Sequence, residues 1–202
     1  MKILFYIVGV IFLIFLAIQI FAGMGQKDIE TYPYKVIEKF DVFEIRNYES
    51  RLFTTVEVSN NGYEDSSNKG FSILAGYIFG GNERNEKIAM TSPVAMSLED
   101  TMTMMFMVPK VLNRESLPKP NQSQIEFIEE PAKTVASIAF GGWANDEKIK
   151  KYQGILTSAL DAEGIEYSNR YYFLGYNPPY EVFNRKNEII VELAQDTINS
   201  IN

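Results

Sequence analysis

Neither cysteine nor histidine occurs among the 202 residues. The first absence excludes a disulfide framework, a thiol nucleophile, lipidation of a cysteine behind a leader, and an iron–sulfur cluster. The second excludes a Ser-His-Asp triad, an imidazole base and a histidine ligand to iron. Together they exclude Cys/His zinc sites. Positive charge is also scarce. Lys and Arg total 19 against 26 Asp and Glu, a formal net charge of −7, and no basic run occurs. A field of that sign repels phosphate backbones, so nucleic acid is not an expected partner. The glycine pairs Gly80-Gly81 and Gly141-Gly142 lack the spacing of a dinucleotide or P-loop fingerprint and read as turns.

What is present is apolar: 46% hydrophobic and 13% aromatic residues bury a sizeable core and exclude global disorder. The N-terminal stretch from Ile3 to Ala22 runs ILFYIVGVIFLIFLAIQIFA, with Gln19 its one strongly polar residue. As a helix rising ~1.5 Å per residue it would cover ~30 Å, the thickness of a bilayer's hydrocarbon core. It is longer than a signal-peptide core and lacks an A-x-A ending, so the expectation is a transmembrane anchor over 1–25. Lys2 on its N-terminal flank then places the domain outside the cytoplasm, a single-pass membrane protein. A linker follows over 26–33, a domain over 34–195 and a tail over 196–202.

The domain reads as two similar halves. β-branched and aromatic alternation predicts strands at Tyr34–Lys39, Phe43–Tyr48 and Leu52–Val58. After the break at Asn60-Asn61-Gly62, a helix is predicted over Asn68–Phe79, where Phe71, Leu74, Ala75 and Ile78 share one face. Strands at Val94–Leu98 and Met102–Val108 close the first half. Pro118 and Pro120 mark a seam. The order then repeats: strands at Gln124–Ile128 and Thr134–Phe140, a helix over Asp146–Ala162 capped by Asn145 or Asp146 and stopped by Gly164, and strands near Tyr171–Tyr176 and Ile189–Leu193. Neither half buries a sheet face alone, so one duplicated α+β domain is expected.

Few residues suggest chemistry. The Glu129-Glu130-Pro131 run reads as a solvated turn. Strand alternation puts Met102, Met104 and Phe106 on one face of TMTMMFMVP and Met105 and Met107 on the other. Core packing is the favoured reading, a pliable wall for a flat ligand the sharper one. The first helix of the domain is apolar all round, since Ile73, Tyr77 and Phe79 add to its main face.

Five stretches carry a resemblance: GFSILAGYIFGGN (Gly70 to Asn82), KIAMTSPV (Lys87 to Val94), FGGW (Phe140 to Trp143), YFLGYNPP (Tyr172 to Pro179) and RKNEI (Arg185 to Ile189). In this order they resemble the SOUL, or haem-binding-protein, family over about residues 31–195. The resemblance implies a distorted antiparallel β-barrel flanked by two helices, with pseudo-twofold symmetry. It also implies that haem or another tetrapyrrole binds in an apolar groove beside the domain's first helix. On that resemblance Phe71, Leu74, Ala75 and Ile78 line the groove, with Met90 of AMTSPV and Tyr172 of YFLGYNPP as further contacts. Some members are thought to ligate iron through histidine. Here any axial ligand falls to Tyr, Met or Lys, or the ring is held alone. Arg84, Lys87, Arg185 and Lys186 are the candidate cations for propionates. The expected role is a tethered carrier, buffer or sensor and not an enzyme. A protein-interaction module on the same fold, without bound tetrapyrrole, is the alternative.

Overall fold

The computed structural model describes residues 2–25, 29–59, 62–99 and 101–194, and within the first helix the side chains of 3–14 and 19. Asn60, Asn61 and the expected tail over 196–202 lie outside the described residues. The elements run α1 (Lys2–Gly25), β1 (Tyr34–Lys39), β2 (Glu44–Tyr48), β3 (Arg51–Val58), α2 (Tyr63–Ile78), β4 (Val94–Ser97), β5 (Met102–Met107), β6 (Ile125–Glu130), β7 (Lys133–Gly141), α3 (Asp146–Glu163), β8 (Tyr167–Gly175) and β9 (Lys186–Leu193).

The strands form one nine-stranded sheet in the order β1-β2-β7-β9-β8-β4-β5-β3-β6, antiparallel throughout. The fold is therefore α+β. The sheet is curled into a half-barrel with β1 and β6 as its edges, rather than a closed barrel. Exchanging β2, β3, α2, β4 and β5 for β6, β7, α3, β8 and β9 reverses this order and reproduces it; β1 stands outside the exchange.

α2 packs on β3 and β5, and α3 on β7 and β9. Strand alternation divides the core accordingly. Met102, Met104 and Phe106 face α2, with Leu74, Tyr77 and Ile78. Ile138, Phe140, Ile189 and Val191 face α3, with Ile149, Leu156 and Leu160. Met105 and Met107 point to the opposite face, among Tyr48, Phe53, Tyr172, Leu174 and Ile190. The methionine strand is thus buried on both sides and is core packing.

Local chemistry sets the helix ends. Asn145 caps α3 by accepting from Lys148 N, and Gly164 closes it in the left-handed conformation. α2 begins five residues before its predicted start. Its N-cap is Gly62 at φ 92° with no side-chain cap of its own; instead the Asp146 carboxylate accepts from Tyr63 N at 2.6 Å. A cap donated from another helix leaves no local signature. The Glu129-Glu130 pair ends β6, and Glu130 is not solvated: its carboxylate sits 2.8 Å from Lys133 Nζ, both side chains largely buried.

The membrane expectation is corrected. Among the described residues no helix is long and apolar enough to cross a membrane. The transmembrane anchor, the membrane localisation and the extracytoplasmic placement fall with it. α1 is instead tied to the domain through Gln19, whose amide donates to Tyr180 O at 2.9 Å and accepts from Val182 N at 3.0 Å. Residues 29–33, expected as linker, are knitted in: Tyr32 N donates to Ser92 O, Ser92 N to Glu30 O, and the Glu30 carboxylate accepts from Lys110 N.

Candidate functional site

Five of the six residues assigned to the groove lie together at α2. Leu74, Ala75 and Ile78 are buried against the sheet, Leu74 completely. Phe71 and Met90 are half-buried at the margin of the same cluster, Phe71 with its ring 5.4 Å from that of Phe106. The main apolar face of α2 is therefore spent on the core. The cavity beside it, lined by Tyr77, Ile78, Ile88, Met90 and Leu117, measures about 10 Å³, room for a single water.

Tyr172 is not brought to this place. It points to the opposite face of the sheet, where its hydroxyl accepts from Arg170 at 3.1 Å and donates to Glu192 at 3.2 Å. Burial, and then the Glu192 and Glu130 charges, push its phenol well above the usual range.

The motif residues around α2 do structural work. Asn82 is buried and satisfies four backbone groups: it donates to Tyr77 O and Glu86 O and accepts from Arg84 N and Glu86 N. A Cβ on Gly81 would lie 2.6 Å from Gly76 O. Thr91 donates to Met107 O. Arg84 is engaged by Glu86 and Ser116 O.

The other three motifs converge at one loop cluster. Arg185 donates to Pro178 O, Glu181 O and Asn177 O, so it clasps the loop between β8 and β9. Asn177 accepts from Lys186 N and donates to the Glu181 carboxylate. Asn187 donates to Gly142 O at 2.8 Å, and Lys148 to Gly141 O at 2.6 Å. The Arg185 guanidinium lies over the Trp143 ring at 3.9 Å. Burial lowers its pKa, against the opposing pull of Tyr63 and Glu181. Tyr63 is pushed up to about 12 by its own burial, which Arg185 partly offsets. Around this clasp stand exposed apolar side chains: Trp143 at 53%, Tyr180 at 59% and Phe183 at 55%, with Val182.

A buried ionic network anchors both ends of that loop. Glu188 on β9 is fully buried. Its Oε2 accepts from Arg46 at 2.9 Å and from Tyr176 at 2.7 Å, and its Oε1 lies 3.0 Å from Lys186 Nζ. Lys186 also sits over the Tyr176 ring. Burial alone would raise the Glu188 pKa, but Arg46, Tyr176 and Lys186 outweigh it and hold the carboxyl below the usual range. Among the described residues no three His, Cys, Asp or Glu side chains are grouped to hold a metal.

The family model described as SOUL heme-binding protein matches residues 29–192. The chain belongs to this family. Among relatives of this SOUL chain, Heme-binding protein 2 of Homo sapiens is 31% identical over 157 residues, covering 73% of this chain and 76% of the relative. Heme-binding protein 1 of Xenopus laevis is 28% identical over 173 residues, covering 80% and 90%. The solved EcmrR C-terminal domain has a TM-score of 0.60 at 10% identity, covering 80% of the SOUL chain and 98% of that domain, a likeness of fold alone. Sequence reasoning on the SOUL motifs picked out Trp143, Asn177 and Arg185 but not the exposed surface that they build. Its signal is the lone tryptophan beside two glycines and the Tyr180, Val182 and Phe183 side chains that follow Pro179.

Proposed function

We propose that this SOUL chain binds haem or another tetrapyrrole by aromatic and apolar contact, without histidine ligation, as an exchangeable carrier, buffer or sensor. One observation carries the reading: Trp143, Phe183 and Tyr180 are exposed beside a guanidinium stacked on the indole. A flat, apolar, dianionic guest needs such a surface. Lys186, whose side chain is 45% exposed, offers a cation for a propionate. Its relatives' names, Heme-binding protein 1 and 2, support the same ligand class. On this reading Phe71 and Met90, half-buried at α2, are outlying contacts, Leu74, Ala75 and Ile78 back α2 from beneath, and Tyr172, buried on the opposite face of the sheet, takes no part. The binding unit is the domain over 34–195. Its mirrored strand order supports reading it as a duplicated, pseudo-twofold fold. Haem, when bound, would supply a redox-active iron, and the residues that would hold it are Trp143, Tyr180 and Phe183 against the ring and Lys186 toward a propionate.

The magnitude favours exchange over permanent residence. Burying about 300–400 Å² of apolar porphyrin surface at ~25 cal/mol/Å² yields roughly 8–10 kcal/mol. Association costs of ~4–15 kcal/mol offset most of it.

Trp143 is the only tryptophan, so its emission reports this surface. Titration of the full chain with haemin is expected to give a Soret shift and Trp143 quenching that saturate together, with Phe183→Asp raising the midpoint at least about tenfold. A saturable Soret shift whose midpoint Phe183→Asp leaves unchanged places the guest elsewhere and overturns the site. A response that never saturates overturns the function and leaves the fold as an interaction module.

A further inference from the structure

β1 is an edge strand, paired only with β2, and all six of its residues are exposed. Such an edge offers unpaired backbone donors and acceptors to another strand. Lysine and a bulge on an edge usually discourage pairing; here the bulge also sets Lys35 and Glu38 on the same face of β1. Along β2 the ladder pairs Lys35 with Asn47, Val36 with Arg46 and Glu38 with Ile45, with the irregularity between Val36 and Glu38. Ile37 is thus the extra residue, and Lys35 and Glu38 stand one ladder position on either side of Val36. Among the described residues neither charge forms a salt bridge. By contrast Lys39 pairs with Glu44.

We propose that β1 is the docking edge for a second copy of this chain, paired antiparallel about a twofold axis through Val36. In that register each Lys35 faces the partner's Glu38, so two ion pairs form across the axis. Val36 meets Val36, and the exposed Ile37 side chains flank the contact. The two half-barrels then share one continuous sheet. The strand is short, so the association is weak and falls with salt as its exposed ion pairs are screened. It is independent of the tetrapyrrole reading.

Charge reversal tests it. The full chain is studied by sedimentation equilibrium in a non-ionic detergent that masks the exposed apolar side chains of α1. Lys35→Glu or Glu38→Lys alone sets like charges opposite one another and is expected to raise the dimer dissociation constant about tenfold. The double swap Lys35→Glu/Glu38→Lys is expected to restore it. Because the chain has no cysteine, Val36→Cys supplies an independent reading: opposed residues across a twofold oxidise readily to a covalent dimer, whereas Val42→Cys, also exposed, does not. A chain that stays monomeric at all concentrations, or a dimer indifferent to both reversals, overturns the proposal. So does a Val36→Cys chain that links no faster than Val42→Cys.

Discussion

Replacing Glu188 by glutamine removes one negative charge from the interior of the sheet while leaving the side chain's size nearly unchanged. Its partner Arg46 is itself buried, and loses the carboxylate 2.9 Å from its Nη1 while keeping Glu44, 2.9 Å from Nη2. Breaking a buried ion pair from one side costs about 3–5 kcal/mol, because the remaining charge stays desolvated. The retained Glu44 contact places this loss near the lower figure, about 3 kcal/mol. In a domain of this size each kcal/mol moves the melting point by about 2–4 °C, so the expected fall is about 6–12 °C. Thermal unfolding at pH 7, followed by circular dichroism, reads it directly. A double variant, Glu188→Leu with Arg46→Met, removes both charges and is expected to recover most of the loss, since matched apolar groups need no solvation. A Glu188→Gln chain that melts within about 2 °C of the parent, or a double variant less stable than the single, refutes the account. Because Tyr176 and Lys186 hang on Glu188, the same variant is also expected to loosen the loop that carries Phe183.

The remaining predictions concern pH and one glycine. Glu188 and Glu44 are both held below the ordinary glutamate value of 4.5; for Glu44 burial opposes the shift and its bonds to Arg46 and Lys39 prevail. Their folded forms bind fewer protons than the unfolded chain, so their contribution is complete above about pH 4.5 and is lost as pH falls toward the depressed values. Acid titration of the melting point is expected to show this loss, and Glu188→Gln to flatten it; an unchanged acid limb would count against the network. Gly81→Ala forces a Cβ to within 2.6 Å of Gly76 O, a backbone atom with no freedom to retreat. The expected cost is about 1–3 kcal/mol, measurable by urea unfolding, and an unchanged midpoint would show that the turn yields.

The strands and both helices of the domain are legible in the sequence because alternation and helical spacing act within a few residues. Both halves emerge for that reason, and α3 with them, since Asn145 and Gly164 are its own caps. α2 is read short because Asp146, eighty-three positions from Tyr63 in sequence, supplies its first hydrogen-bond partner. The apolar face of α2 is legible as apolar, but the same pattern serves a groove or a core, and only packing shows Leu74 and Ile78 spent on the core. Tyr172 lies one strand position from Phe173, and that single step puts it on the other face of the sheet. The loop cluster escapes a linear reading because Trp143 and the 177–187 segment meet only once β7, β8 and β9 are paired.

The carboxylate of Asp146 opens one helix and closes the amide end of the other. Fraying at the first turn of α3 therefore exposes the start of α2 as well, and the two mirrored units cannot loosen separately. The seam becomes a hinge pin: hydrogen exchange at Tyr63 should track that of the α3 first turn, binding the molecule's two halves into one melting event.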